Sequence, residues 1–248
     1  MCGRFALIQP TSEVEDAFAV EGIEPFPPRY NIAPTQPVLL VIAGPSRDPG
    51  SNLPDRRAML ARWGLIPNWA KNPSDLPLLF NARSETAAAK AAFKAPMRHR
   101  RVLVPASGFY EWRRSGSEGS GQAWWVRPRT GGLVAFAGLM ETFAEPGGAE
   151  IDTAAILTTP ASADLSHIHA RMPVVIGPDH YSRWLDCVAY EPRDMADLLR
   201  PREPGFFEAI PVSDKVNKVA NTGPGIQERV TVLQEDAPPR PPAQMSLF

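Results

Sequence analysis

The sequence predicts an α+β fold: a single domain with a mainly antiparallel, barrel-like β core flanked by short helices. Three observations lead there. Residues 101–177 hold six strand-like apolar runs divided by turn residues. Helix-like segments lie before and after that block instead of alternating with its strands, which separates α+β from α/β. Proline supplies 28 of the 248 residues, more than twice the ordinary share of about 5%. Such a content shortens helices and favours loops and strand edges.

In chain order, residues 12–21 read as a short helix, with Ser12 and Glu15 at capping-box spacing and Gly22 as its stop. Residues 25–37, proline-rich and polar, read as an ordered loop. VLLVI (38–42) is a buried strand, residues 44–56 a turn or flexible insertion, and RRAMLARWG (56–64) a strand. SETAAAKAAF (84–93) is the clearest helix, rich in alanine and free of Gly and Pro. The six strand runs are RVLVP (101–105), GFYEW (108–112), QAWWVRP (122–128), LVAFAGLMETF (133–143), TAAILTTP (153–160) and MPVVIG (172–177), with SGSEGSG (115–121) as a hairpin tip. Helices are expected at 178–186 and 193–200, and a late strand at FFEAIPVS (206–213). The folded unit should span 1–234. Residues 235–248 are too rich in proline to build an element and read as a disordered tail.

Charge and composition exclude several classes. With 26 Lys+Arg against 27 Asp+Glu the net charge is −1, so the chain is no generally basic protein that coats nucleic acid. A local basic groove stays open. The two cysteines, Cys2 and Cys187, with one at the extreme start, argue against a disulfide framework. No apolar run approaches the ~20 residues of a membrane span. MCGRFALIQP has neither the basic region nor the long apolar stretch of a signal peptide, and nothing hydrophobic precedes Cys2 as in a lipoprotein. A soluble, intracellular protein is expected.

Cys2 carries the first chemical signal. Methionine before a small residue is ordinarily trimmed, and Cys2 would then offer a thiol and an α-amine on adjacent carbons. At a reference pKa of about 7.8, roughly a fifth of such an amine is unprotonated near neutrality, and a thiol near 8.5 supplies about 5% thiolate. The amine adds to an aldehyde to give a Schiff base. The adjacent thiol can close a five-membered thiazolidine, with the proximity advantage of an intramolecular step. Gly3 lets other groups approach, and Arg4 sets a positive charge nearby.

MCGRF (1–5), RYNIAPTQ (29–36), WGLIPNW (63–69), FNARSET (80–86), GFYEW (108–112) and IHARMP (168–173) occur in this order, and PVSDKVNKVANTG (211–223) follows. Together they resemble the SOS response-associated peptidase family, the abasic-site processing proteins, across about 230 residues. The resemblance implies a sensor of abasic sites in single-stranded DNA, held by a stable thiazolidine between Cys2 and the ring-opened sugar aldehyde. It implies a cytoplasmic, nucleoid-associated protein whose Met1 is removed or self-processed, with an autoproteolytic peptidase and lyase-type character. No cofactor or metal is implied, and a monomer is expected.

Roles follow for single residues. Asn81 matches the family's catalytic asparagine, whose amide both donates and accepts; its alternative use is as a helix cap. Glu111, between Tyr110 and Trp112, would be a proton shuttle with a raised pKa if it lies in an apolar setting, or an outward residue if only the aromatics face inward. His169 is implied in opening the sugar ring and in reversal. His167 lies two residues away, but His99 and His180 sit in unrelated contexts and no ligand spacing supports a metal. Arg4, Arg83 and Arg171 each lie within two residues of these positions and are candidates for backbone phosphates. Trp69 and Pro34 are candidates for stacking or wedging between bases, with Trp63 as readily a core residue. Lys94, Arg98, Arg100 and Arg101 could extend a DNA track or solvate a helix end. Asn217 and Asn221 would shape a nearby loop, and Cys187 would be inert.

The final residues, Gln244 to Phe248, resemble the short motif by which bacterial proteins dock on the DNA sliding clamp, here at the end of a proline-rich tether. Two other functional readings stay open. One is a peptidase or N-terminal-nucleophile amidohydrolase with Cys2 attacking amides. The other is a non-covalent single-strand binding module, which the near-neutral charge weakens.

Overall fold

The computed structural model describes residues 2–45, 55–113, 121–145 and 147–231. Strand β1 (Phe5–Leu7) is followed by α1 (Thr11–Phe18), β2 (Arg29–Ile32), β3 (Pro37–Ala43) and β4 (Arg56–Trp63). Then come β5 (Asn81–Arg83), α2 (Ser84–Ala87), α3 (Ala91–His99), β6 (Arg101–Ala106), β7 (Gly108–Arg113) and β8 (Gln122–Pro128). The long hairpin β9 (Val134–Ala144) and β10 (Glu150–Pro160) leads to β11 (Arg171–Pro173), β12 (Val175–Ile176), α4 (Tyr181–Leu185) and β13 (Phe207–Val212).

The fold is α+β, mostly sheet, with a closed core. Strand β10 pairs with β4, β4 with β3, β3 with β6, β6 with β9, and β9 returns to β10. Closure removes the free edges that an open sheet would present. Most pairings are antiparallel, but β10 runs parallel to both β4 and β5. The C-terminal half of β10 also pairs with β11, so one strand carries β5 and β11 at the same end of the ring. A second sheet, in the order β13-β8-β7-β1-β2, packs against the barrel.

Aromatic rings join the two sheets. Phe5 of β1 meets Trp63 and Phe136 of the barrel edge to face at 5.1 and 6.0 Å, and Phe109 of β7 meets Phe136 at 6.1 Å. Trp63 is fully buried there, so it is a core residue and has no face for a base. The opposite side of the second sheet buries a smaller cluster around Tyr110, Trp125, Ile210 and Val216, capped by 3-10 turns at Asp214–Asn217 and Pro224–Gln227. Gly108 opens β7 where a Cβ would overlap the Val126 carbonyl oxygen and the Trp125 ring. Only glycine lets β7 and β8 close at that point.

Several local expectations are corrected. The first helix ends at Ala19, a left-handed cap with φ 50°, and not at Gly22. Ser12 lies inside the helix, and Glu15 does not close a capping box; its Oε1 accepts from the Ile23 N–H at 2.8 Å. The expected loop 25–37 contains β2, whose backbone pairs with β1; four residues are too few for their alternation to stand out. The helix at 84–93 is two helices, parted by an extended Lys90 (ψ 132°), and the second runs through Pro96 to His99. The segment 178–186 is a 3-10 turn leading into α4, and 193–200 holds only the 3-10 turn Pro192–Met195. Most of the insertion at 44–56, nearly all of the tip at 115–121, and the tail at 235–248 lie outside the described residues.

Candidate active site

Cys2 stands three residues before Phe5, the first residue of β1, the strand that β2 and β7 flank on either side. The Arg4 carbonyl accepts from the Tyr110 N–H at 2.9 Å, so a central-strand ladder fixes the start of the chain. Cys2 is fully buried and its Sγ–H points to the Arg4 carbonyl at 3.5 Å. Burial pushes its thiol well above the usual thiol range, and the neighbouring Glu111 charge adds to this. The thiolate share expected for a free cysteine is therefore corrected downward.

Asn81 opens β5, whose register sets it against Ile156 of β10. It is no helix cap: the residue before α2 is Arg83, and no side chain caps that helix. The Asn81 amide instead donates from Nδ2 to the Cys2 carbonyl at 2.7 Å. Its Oδ1 is buried and has no hydrogen-bond partner among the described residues, so an acceptor is held ready beside Cys2.

Glu111 sits in the middle of β7, opposite Trp124 of β8. Strand alternation sends Tyr110 and Trp112 to the smaller cluster and Phe109 and Glu111 to the other face. That face is covered, and Glu111 is 4% exposed, which removes the outward-facing alternative. Burial raises its carboxyl pKa to about 7, with a hydrogen bond from the Trp112 N–H pulling the other way. His169 lies beside it, with Nδ1 3.9 Å from the Glu111 Oε1. The same nitrogen is 3.0 Å from the Arg171 N–H and 3.2 Å from the Arg171 carbonyl. A neutral ring can accept from the first, and an imidazolium can donate to the second. The ring has a backbone partner in either protonation state, as a proton carrier needs. A cavity of about 10 Å³ lies behind the pair, lined by Phe109, Val126, Leu165, Ile168 and Met172, at the lower limit for one water molecule.

The arginines divide. The Arg4 guanidinium turns inward, donating to Asn31 Oδ1 at 2.8 Å, the Val216 carbonyl at 2.7 Å and the Asn217 carbonyl at 3.2 Å. Arg171 forms a two-pronged pair with Glu85, 2.9 Å on one prong, and also reaches the Thr158 carbonyl. Arg101 is 2% exposed and donates to the Met97, Trp184, Asp186 and Tyr190 carbonyls, so it knits the fold and is no part of a DNA track. Arg83 is exposed at the end of β5. Trp69 is 55% exposed in the segment after β4, and Pro34 is half-buried in a loop whose Thr35 N–H docks on the Trp63 carbonyl. Asn217 accepts from the Trp112 indole N–H, and Asn221 donates to the Lys215 carbonyl; both shape the segment that Arg4 clasps.

Sequence reasoning missed two partners. Asn31 is buried and its Nδ2 faces the carbonyls of Val216, Lys218 and Asn221. Glu85 holds Arg171. Both lie inside motifs already marked, RYNIAPTQ and FNARSET, but their partners are distant in the chain. Among the described residues no three His, Cys, Asp or Glu side chains converge to hold a metal, and no helix is long and apolar enough to cross a membrane.

The sequence matches the family model for SOS response associated peptidase (SRAP) over residues 1–219. The chain belongs to the SRAP family. It is 36% identical over 224 residues to the abasic site processing protein YoaM of Bacillus subtilis, covering 89% of this chain and 95% of that protein. It is 34% identical over 225 residues to the abasic site processing protein HMCES of Gallus gallus, covering 79% of this chain and 65% of that longer protein. A crystal structure of a protein from Bacteroides thetaiotaomicron superposes with a TM-score of 0.78 at 21% identity, covering 93% of this chain and all of that one. The last comparison carries the SRAP fold alone.

Proposed function

We propose that this SRAP protein processes abasic sites in single-stranded DNA, and that it does so by covalent capture through Cys2 once Met1 has been removed. The observation that carries the proposal is the meeting of Cys2, Asn81, Glu111 and His169 from four separate stretches of chain. In the first step the free α-amine adds to the C1 aldehyde of the ring-opened sugar. Glu111, poised near 7, takes the proton that the amine sheds and returns it to the departing hydroxyl, which leaves as water. The thiol then adds to the resulting imine carbon, and its proton ends on the ring nitrogen. The net change is aldehyde plus aminothiol to thiazolidine plus water. Asn81 orients the residue through its carbonyl, and His169 exchanges the proton that opens the sugar ring. Buried and protonated, the thiol acts second, after the amine.

The same raised thiol pKa speaks against the peptidase reading, in which a thiolate must attack first. On the DNA side, Arg83 and Trp69 are the exposed candidates, and Pro34, in the loop between β2 and β3, is a half-buried third. Arg4 and Arg171 serve chiefly to hold the site. Residues 235–248 are proposed as a tether that brings the terminal QMSLF segment to a sliding clamp; a peptide of that stretch that fails to bind clamp in titration overturns this part.

The test of capture is direct. Protein is mixed with single-stranded DNA bearing one abasic site and run on a denaturing gel. A shifted band that is lost in Cys2→Ala is the expected outcome. Peptide cleavage without a shifted band, or binding on a native gel without one, overturns it.

A further inference from the structure

Trp124 and His167 have no part in the capture chemistry, yet both border it. Trp124 is the direct cross-strand partner of Glu111, a distance of about 5 Å between Cβ atoms. His167 is two residues before His169 and exposed. Their rings meet edge to face, with centroids 6.1 Å apart and planes at 83°. The Arg113 guanidinium lies 5.9 Å from the Trp124 ring centre, within the range of a cation–π contact. The Trp124 ring is only partly buried, and its indole N–H is buried with no acceptor among the described residues. A residue present for packing alone would be better served by phenylalanine, which leaves no donor unsatisfied. The large π-face is what tryptophan adds.

We propose that Trp124, His167 and Arg113 form a stacking shelf that receives the base next to the lesion. This rests on the single-strand reading above. A captured abasic sugar has no base of its own to bind. Selectivity for where it lies must come from neighbours, and aromatic faces with a nearby cation accept any base. The shelf lies one residue's width from Glu111 along the sheet and two residues from His169 along the chain. That is the reach of one adjoining nucleotide. Purines, with the larger face, should be favoured there.

A two-way deletion tests this. Binding is followed by fluorescence anisotropy with full-length Cys2→Ala protein and single strands that carry a stable abasic analogue. In one pair of strands the 5′ neighbour is adenine or a second abasic unit, and in another the 3′ neighbour. On one side, removing the base should weaken binding at least about fivefold. The same removal should cost His167→Ala almost nothing, and Trp124→Phe, which keeps the packing, should fall between. Equal losses in parent and variant, or no loss on either side, overturn the shelf. Because no adduct forms in this experiment, the two proposals fail separately. Coupling without any gel-stable adduct in the Cys2 protein leaves the shelf and removes capture. Adduct formation indifferent to both neighbours, with no coupling, removes the shelf and leaves capture.

Discussion

Replacing Arg4 by alanine separates two roles for one charge. The sequence suggests a phosphate contact, whereas the structure spends the guanidinium on Asn31, Val216 and Asn217. Two of those bonds are partly buried and the third is exposed. A hydrogen bond from a charged donor contributes about 1.5–3 kcal/mol, and taking the low end for two bonds and nothing for the third gives about 3 kcal/mol. In a protein of this size each kcal/mol moves the melting midpoint by about 2–4 °C, so Arg4→Ala should melt roughly 6–12 °C lower. The assay is a thermal melt read by circular dichroism, paired with single-strand affinity at several salt concentrations. The salt slope should be unchanged. An unaltered melt together with a slope reduced by about 0.7, the share of one phosphate on a single strand, would falsify the inward assignment.

Glu111→Gln should remove the inflection near pH 7 from the rate of adduct formation, which rises with pH as the carboxylate forms. Its folded pKa lies above the ordinary value, so its stabilising proton is fully held at low pH and lost as pH rises through about 7; the glutamine variant should gain stability over the parent above that pH in urea titrations. Asn81→Ala deletes the bond to the Cys2 carbonyl and should slow the adduct about tenfold, while the melt shifts little; an equal loss of both would make Asn81 a structural residue. Arg101→Met strands four carbonyl acceptors and should cost upwards of about 3 kcal/mol with no change in salt dependence, as measured by denaturant titration.

The strand positions of the middle region were legible because apolar runs between turn residues read as strands, although MPVVIG holds two short strands, β11 and β12. Cys2, Asn81, Glu111 and His169 were visible as motifs, but not as neighbours. Nothing in a linear pattern says that β5 and β11 both pair with β10, and that pairing is what brings Asn81 and Arg171 to one end of the ring. The arginines misled for a related reason. A charge beside a motif looks alike whether it faces phosphate or a buried carbonyl, and only the acceptors of Arg4 and Arg101, more than 80 residues away for most bonds, decide between them. Helix ends were less legible: the Glu15 carboxylate serves the Ile23 N–H beyond its own helix, and Lys90 turns extended inside an alanine-rich run that carries no Gly or Pro to mark the break.

The clasp between Arg4 and the carbonyls of Val216 and Asn217 has a temporal side. Cys2, the proposed nucleophile, is synthesised well before the residues that seat it, because Arg4 and Val216 lie 212 residues apart. At about 5–20 residues per second, some 215 residues take roughly 10–40 s to synthesise. During that interval Cys2 has no seat and lacks the fully packed surroundings of Glu111 and His169. Under the proposed capture, its reactivity toward aldehydes is then that of a loose peptide, and the seated form arises only once the segment around Val216 and Asn217 has been made.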